Sequence, residues 1–149
     1  MKLNTLLNFP GNCREALQFY EKHLGAKIAA IITFDQMPEP KKIPPGIGGN
    51  DVLHARLDIA GTYVMANDVP QAQPMRSAYL TLSVDSTPEA ERVYKVLSDG
   101  GEVFMKMEET FFAHRFAMLR DKFGISWMIL HEKPMGPVRE ERTPVGAHA

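Results

Sequence analysis

The chain has 149 residues, 44% hydrophobic and 23% charged, with 17 basic against 18 acidic side chains. That is the balance of an ordinary globular domain, and it lacks the basic stripe with interleaved aromatics that nucleic-acid binding requires. The longest apolar runs fall far short of the ~18 residues of a membrane span, and one cysteine forms no internal disulfide, so a cytoplasmic protein is expected. The opening Met1-Lys2-Leu3-Asn4-Thr5 has no apolar core of a secretory signal, which adds to that expectation. Nine methionines is a high count; thioethers fill core gaps and also adapt to irregular apolar ligands.

In chain order, Leu3 to Phe9 is a short apolar run read as a strand. Gly11-Asn12 interrupts it, and Asn12 is placed to cap a helix over Cys13 to Leu24. Ala16, Leu17, Phe19, Tyr20 and Leu24 give that helix one apolar face, and Gly25 stands at its C-terminal cap. Lys27 to Phe34 is β-rich. Residues 37–49 hold four prolines and three glycines and predict a long mobile loop, a candidate lid. Val52 to Ile59 alternates, with Leu53, Ala55, Leu57 and Ile59 on one face and His54, Arg56 and Asp58 on the other. Ala60-Gly61 is a turn before a strand over Thr62 to Ala66, and 67–74 reads as a linker.

The pattern then restarts. Ser77 to Val84 alternates as a strand. Thr87 as N-cap with Pro88 at the first helical position predicts a helix to about Ser98, with Ala90, Val93, Tyr94 and Leu97 on its buried face. Glu102 to Met107 is a strand. After Glu109-Thr110-Phe111-Phe112-Ala113 come two more strands around the tight turn Asp121-Lys122-Phe123-Gly124. A shift of 74 residues pairs Leu6 with Leu80, Glu15-Ala16 with Glu89-Ala90 and Tyr20 with Tyr94. The expected architecture is therefore α+β: two β-α-β-β-β modules, about 3–68 and 76–131, forming a curved mixed sheet with an open cleft. They make one domain over 1–131, and the proline- and charge-rich 132–149 is expected to be a flexible tail.

Several words together resemble the PhnB-like branch of the vicinal oxygen chelate superfamily, which includes glyoxalase I, extradiol dioxygenases, and fosfomycin and bleomycin resistance proteins. They are Phe9-Pro10-Gly11-Asn12-Cys13, Phe19-Tyr20 with Leu24-Gly25-Ala26, His54-Ala55-Arg56-Leu57, Glu109 to His114, and Asp121-Lys122-Phe123-Gly124 with Trp127-Met128-Ile129. The resemblance implies paired modules whose sheets curl around a cleft, and a homodimer with modules paired or swapped across the interface. It also implies that metal ligands, where present, come from the first and last strands of each module. Those positions fall, within about one residue, at Thr5, Met65, Tyr79 and Met128, a set poorly suited to hard divalent ions. Some PhnB-like sequences are described as 3-demethylubiquinone methyltransferases; the chain has no glycine-rich strand-turn-helix for a nucleotide-like cofactor.

The candidate site residues each carry two readings. His54 could act as a base, anion contact or metal ligand, or be a hydrogen-bonded structural histidine. Arg56 shares its face. Glu109 beside Phe111-Phe112 could act as a general base, or be a solvated strand-end carboxylate. His114 opens the last hairpin and, with His54 and Glu109, would complete a two-histidine, one-carboxylate set. Phe112, Phe116, Trp127, Met65, Tyr79 and Met128 could wall an apolar pocket, although Trp127 could equally be core. Cys13 reads as structural. The leading expectation is a protein that binds a small organic ligand without metal or other cofactor. The alternatives are a lyase, isomerase or dioxygenase using a divalent metal at His54, Glu109 and His114, or a drug-sequestering resistance protein with the 37–49 loop as lid.

Overall fold

The structure is a computed structural model that describes residues 1–39 and 43–134. Module 1 runs β1 (Thr5–Phe9), α1 (Cys13–Leu24), β2 (Lys27–Thr33), β3 (Val52–Ile59) and β4 (Thr62–Asp68). Module 2 runs β5 (Leu80–Ser83), α2 (Thr87–Ser98), β6 (Glu102–Glu108), β7 (Ala113–Arg120) and β8 (Ser126–Glu132). Each forms a four-stranded mixed sheet, ordered β1-β4-β3-β2 and β5-β8-β7-β6, whose first strand lies parallel to its last. This is the α+β duplication expected from the repeat.

Both helices follow from local sequence. In α1, Cys13, Ala16, Leu17 and Tyr20 are buried at i, i+3, i+4 and i+7, and Gly25 closes the helix in the left-handed conformation at φ 65°. In α2, Ala90, Val93 and Leu97 are buried. Its cap is Ser86, one residue before the expected Thr87: the Ser86 Oγ accepts from the Glu89 amide at 3.2 Å, while Thr87 Oγ1 turns to His131 Nδ1 at 3.3 Å. Asn12 does not cap α1 either, and its buried Oδ1 has no hydrogen-bond partner among the described residues. Asp68 does this from the end of β4. Its Oδ1 accepts from the Gly11 and Cys13 amides at 3.1 and 2.9 Å, and its Oδ2 from the Val52 amide at 2.8 Å.

One apolar core runs through both modules. Phe9, Leu17, Tyr20 and Leu57 of module 1 share it with Leu97, Leu119, Trp127 and Ile129 of module 2. Each fully buried large apolar side chain contributes roughly 1.5–3 kcal/mol. Asp121 accepts four hydrogen bonds, one of which, from Tyr20, ties module 2 to module 1. Its Oδ2 accepts from Tyr20 Oη at 2.6 Å and Trp127 Nε1 at 2.8 Å, and its Oδ1 from the amides of Phe123 and Ile125.

The described part of the proline-rich segment is held by local bonds. The Phe34 and Asp35 amides donate to the Asp51 and Gly49 carbonyls, and the Ile47 amide to the Pro44 carbonyl. Residues 40–42 of the candidate lid, and 135–149 of the expected tail, lie outside the described residues. The strand before them continues through Glu132, and the Lys133 amide donates to the Phe112 carbonyl at 2.9 Å. No described helix is long and apolar enough to cross a membrane.

Candidate functional site

Strand alternation divides each sheet into a face packed on its helix and an open face. In module 1 the inner residues are Ala55, Leu57, Val64 and Ala66, all buried. The open face carries His54, Arg56, Met65, Tyr63 and Leu6, the Cα partner of Met65. In module 2 the inner residues include Ala117, Leu119, Trp127 and Ile129, and the open face carries Phe116, Met118, Arg120, Thr81 and Met128.

Register defines which positions of the modules correspond. Arg56 pairs with Met65 and Met118 pairs with Met128, while Leu6 and Thr81 flank those two methionines on the parallel side. Met65 and Met128 are therefore equivalent. The first-strand positions beside them are Leu6 and Thr81, not the Leu6 and Leu80 of the 74-residue shift. Leu80 pairs with Trp127 and packs on the core. Thr5 pairs with Val64 and shares its inner face, so it does not reach the open one. Tyr79 lies just before β5 and packs edge-on against Phe104, with ring centroids 6.4 Å apart. Leu6 offers no donor, Thr81 a neutral hydroxyl, and the methionines soft thioethers. This set does not fit a hard divalent cation.

The His54, His114 and Glu109 set does not assemble. His54, two residues before Arg56, corresponds by register to Phe116 and not to His114. His54 is half-buried, and its ring makes no hydrogen bond among the described residues. The register of β7 shifts between Ala113 and Arg115, and His114 packs its ring 4.7 Å from His131, the residue bonded to the first turn of α2. Glu109 is exposed and pairs with Lys133 Nζ at 3.4 Å. No group of three or more potential His, Cys, Asp or Glu ligands converges among the described residues. Trp127 is 1% exposed and bonded to Asp121, so it is core rather than pocket wall. Phe112 and Phe116, by contrast, stack edge-on at 5.4 Å in a small apolar cluster with Met118, Met128 and Leu130.

Cys13 is fully buried, and burial first, then the nearby Asp68 carboxylate, pushes its thiol up to about 12. It is inert as a nucleophile. Tyr20 is raised well above 10, by burial first and then by Asp121, and stays neutral.

Arginines stacked on aromatic rings supply charge to both open faces. Arg56 lies 4.0 Å above the Tyr63 ring. In module 2, Arg76 lies 4.0 Å and Arg120 5.5 Å from the centroid of Phe104. Arg76 Nη1 donates to Tyr79 Oη at 2.8 Å, and Arg120 Nη2 to Glu102 Oε2 at 2.8 Å. Arg76 and Phe104 escape the sequence pattern because Arg76 precedes its strand and β6 changes register between Val103 and Met105, which breaks simple alternation. The one local signal was an arginine three residues before a tyrosine.

A duplicated β-α-β-β-β chain with open mixed sheets defines a protein of the glyoxalase and bleomycin-resistance fold. A domain from Frankia sp. EAN1pec described as glyoxylase/bleomycin resistance protein/dioxygenase shares that fold, with a TM-score of 0.60 at 13% identity over 89% of this chain and 98% of its own. More specifically, the chain belongs to the PhnB-like family whose model is described as 3-demethylubiquinone-9 3-methyltransferase, matched over residues 1–130. Protein YjdN of Escherichia coli (strain K12) is 35% identical over 138 residues, covering 87% of this chain and 94% of YjdN. The crystal structure of protein PA1353 from Pseudomonas aeruginosa is 36% identical, with a TM-score of 0.76 over 89% of this chain and 98% of that one.

Proposed function

We propose that the chain binds a small organic molecule on its open sheet faces and does so without the metal typical of its superfamily. The observation that carries this reading is the equivalence of Met65 and Met128. Register places them at the centre of the two open faces, where chelation would need oxygen or imidazole donors, and both present adaptable thioethers instead. Around them lie apolar side chains that a solvated surface would not favour: Leu6 and Tyr63 are each 48% exposed, and Met105 is 44% exposed.

Arg56 and His54 supply polar contacts on module 1, and the Phe112–Phe116 cluster supplies an apolar wall on module 2. The apolar open faces also support a homodimer in which module 1 of one protomer faces module 2 of its partner across a shared cleft. The methyl transfer in the family description is not part of this reading. The described residues contain no alternating parallel βα layer with a glycine-rich turn to hold a nucleotide-like cofactor.

The test is a thermal-shift screen of small apolar and amphipathic compounds, run on the wild-type chain and on Met65→Lys and Met128→Lys. Hits on the wild type that vanish in both variants are expected, with unchanged circular dichroism. Hits that persist undiminished in both would overturn the reading. Sedimentation equilibrium, expected to give twice 16.7 kDa, checks the dimer.

A further inference from the structure

We propose that Arg76, Tyr79, Phe104 and Arg120 form an oxyanion receptor on the open face of module 2. It would take the carboxylate or phosphate of a ligand whose apolar body lies over Met118 and Met128. This inference rests on the small-molecule reading above and names the chemical class.

Three observations converge on it. First, the two guanidinium groups share one ring, at 4.0 and 5.5 Å from the Phe104 centroid, so neither is a freely waving surface arginine. Second, their charges are not equally available. Arg120 is neutralised by Glu102, whereas no carboxylate among the described residues pairs with Arg76. Arg76 donates one N–H to the Tyr79 hydroxyl and keeps the rest of its planar fork for a ligand, and that fork matches two oxygens of one anion. Third, the backbone is bent to place it there. Ser77, between Arg76 and Tyr79, has φ 66°, a left-handed conformation that an L-residue adopts at a cost. The turn lies between two residues that both meet Phe104, Arg76 over its face and Tyr79 edge-on at 6.4 Å. Ring contact and hydroxyl together pre-order the guanidinium, which lowers the entropy lost on binding.

The experiment titrates benzoate, phenyl phosphate and benzamide against the full chain by ligand-observed NMR. The proteins are the wild type, Arg76→Gln, Tyr79→Phe, and a charge control, Lys95→Gln, on the exposed side of α2. The two anions should bind the wild type at least ~10-fold more tightly than benzamide, a difference of about 1.4 kcal/mol. Arg76→Gln should erase that preference while benzamide is unchanged, Tyr79→Phe should reduce it, and Lys95→Gln should leave it intact. Raised salt should weaken the anions alone. Preference for benzoate or for phenyl phosphate assigns the oxyanion. Equal binding of all three probes, insensitive to Arg76→Gln, would overturn the receptor and leave open-face binding standing. No binding of any probe, in a chain whose screening hits depend on Met65 and Met128, would overturn the receptor alone. No binding together with hits that ignore those methionines would overturn both.

Discussion

Asp121→Asn is nearly isosteric, yet it should be among the most damaging single substitutions in this chain. The carboxylate is 4% exposed and accepts four hydrogen bonds, two per oxygen. An amide has one acceptor oxygen and one NH2. If its oxygen keeps the Phe123 and Ile125 amides, the NH2 meets Tyr20 and Trp127. The tyrosine hydroxyl can turn and accept, but the indole N–H can only donate. One buried donor is then orphaned, at about 1–3 kcal/mol, and three charge-assisted bonds weaken by roughly 1 kcal/mol each. The opposite amide orientation orphans two backbone N–H groups and is worse. The expected loss is about 4–6 kcal/mol, a fall in Tm of roughly 10–20 °C.

A double-mutant cycle in urea isolates the orphaned indole donor. Trp127→Phe costs packing in both backgrounds, but in the Asp121→Asn protein it also removes the orphaned donor. Trp127→Phe should therefore cost about 1–3 kcal/mol less in the Asp121→Asn background than in the wild type. A coupling within ~0.5 kcal/mol of zero would refute the hydrogen-bond argument, because it would mean that the indole does not depend on the Asp121 carboxylate.

Asp68→Ala should cost about 2–4 kcal/mol in a urea melt, because it strips the acceptor from three backbone amides at once, whereas Asn12→Ala should fall within ~1 kcal/mol of the wild type. Stability should decline at high pH. Cys13 and Tyr20 both have raised folded-state pKa values, so their stabilising effect is whole below the unfolded values near 9 and 10 and is lost as pH rises through and beyond them. From pH 9 to 12 Cys13 alone should remove about 1.4 kcal/mol per pH unit, and denaturant melts of Cys13→Ala should show a shallower alkaline decline.

The local features of the fold were legible. Helical spacing of apolar residues placed Cys13–Leu24 and, one residue short at its start, the helix at Thr87–Ser98, and strict alternation placed Val52–Ile59. What sequence did not show is work done across long separations. Asp68 caps a helix 55 residues earlier, and Asp121 holds a tyrosine 101 residues away. No window of local spacing contains such a bond. The same limit explains Trp127: an apolar strand has two faces, and whether its indole meets a ligand or a core is fixed by the helix that covers it. The histidine set failed for a further reason. A register shift in β7 moves His114 off the phase that counting along the strand would give it.

The two modules also differ in an informative way. Matched by register, their inner faces repeat closely: Ala55 answers Ala117, and Leu57 answers Leu119. Their open faces do not. His54 answers Phe116, Arg56 answers Met118, and Asp58 answers Arg120, so one half presents a more polar wall and the other a more apolar one with its own guanidinium groups. The inner faces are constrained to similar chemistry because each packs a helix of the same length. The open faces carry none of the Asp68 or Asp121 bonds that hold the fold. Their side chains can therefore change without loss of the architecture, and the asymmetry between them falls where recognition of an asymmetric ligand would place it.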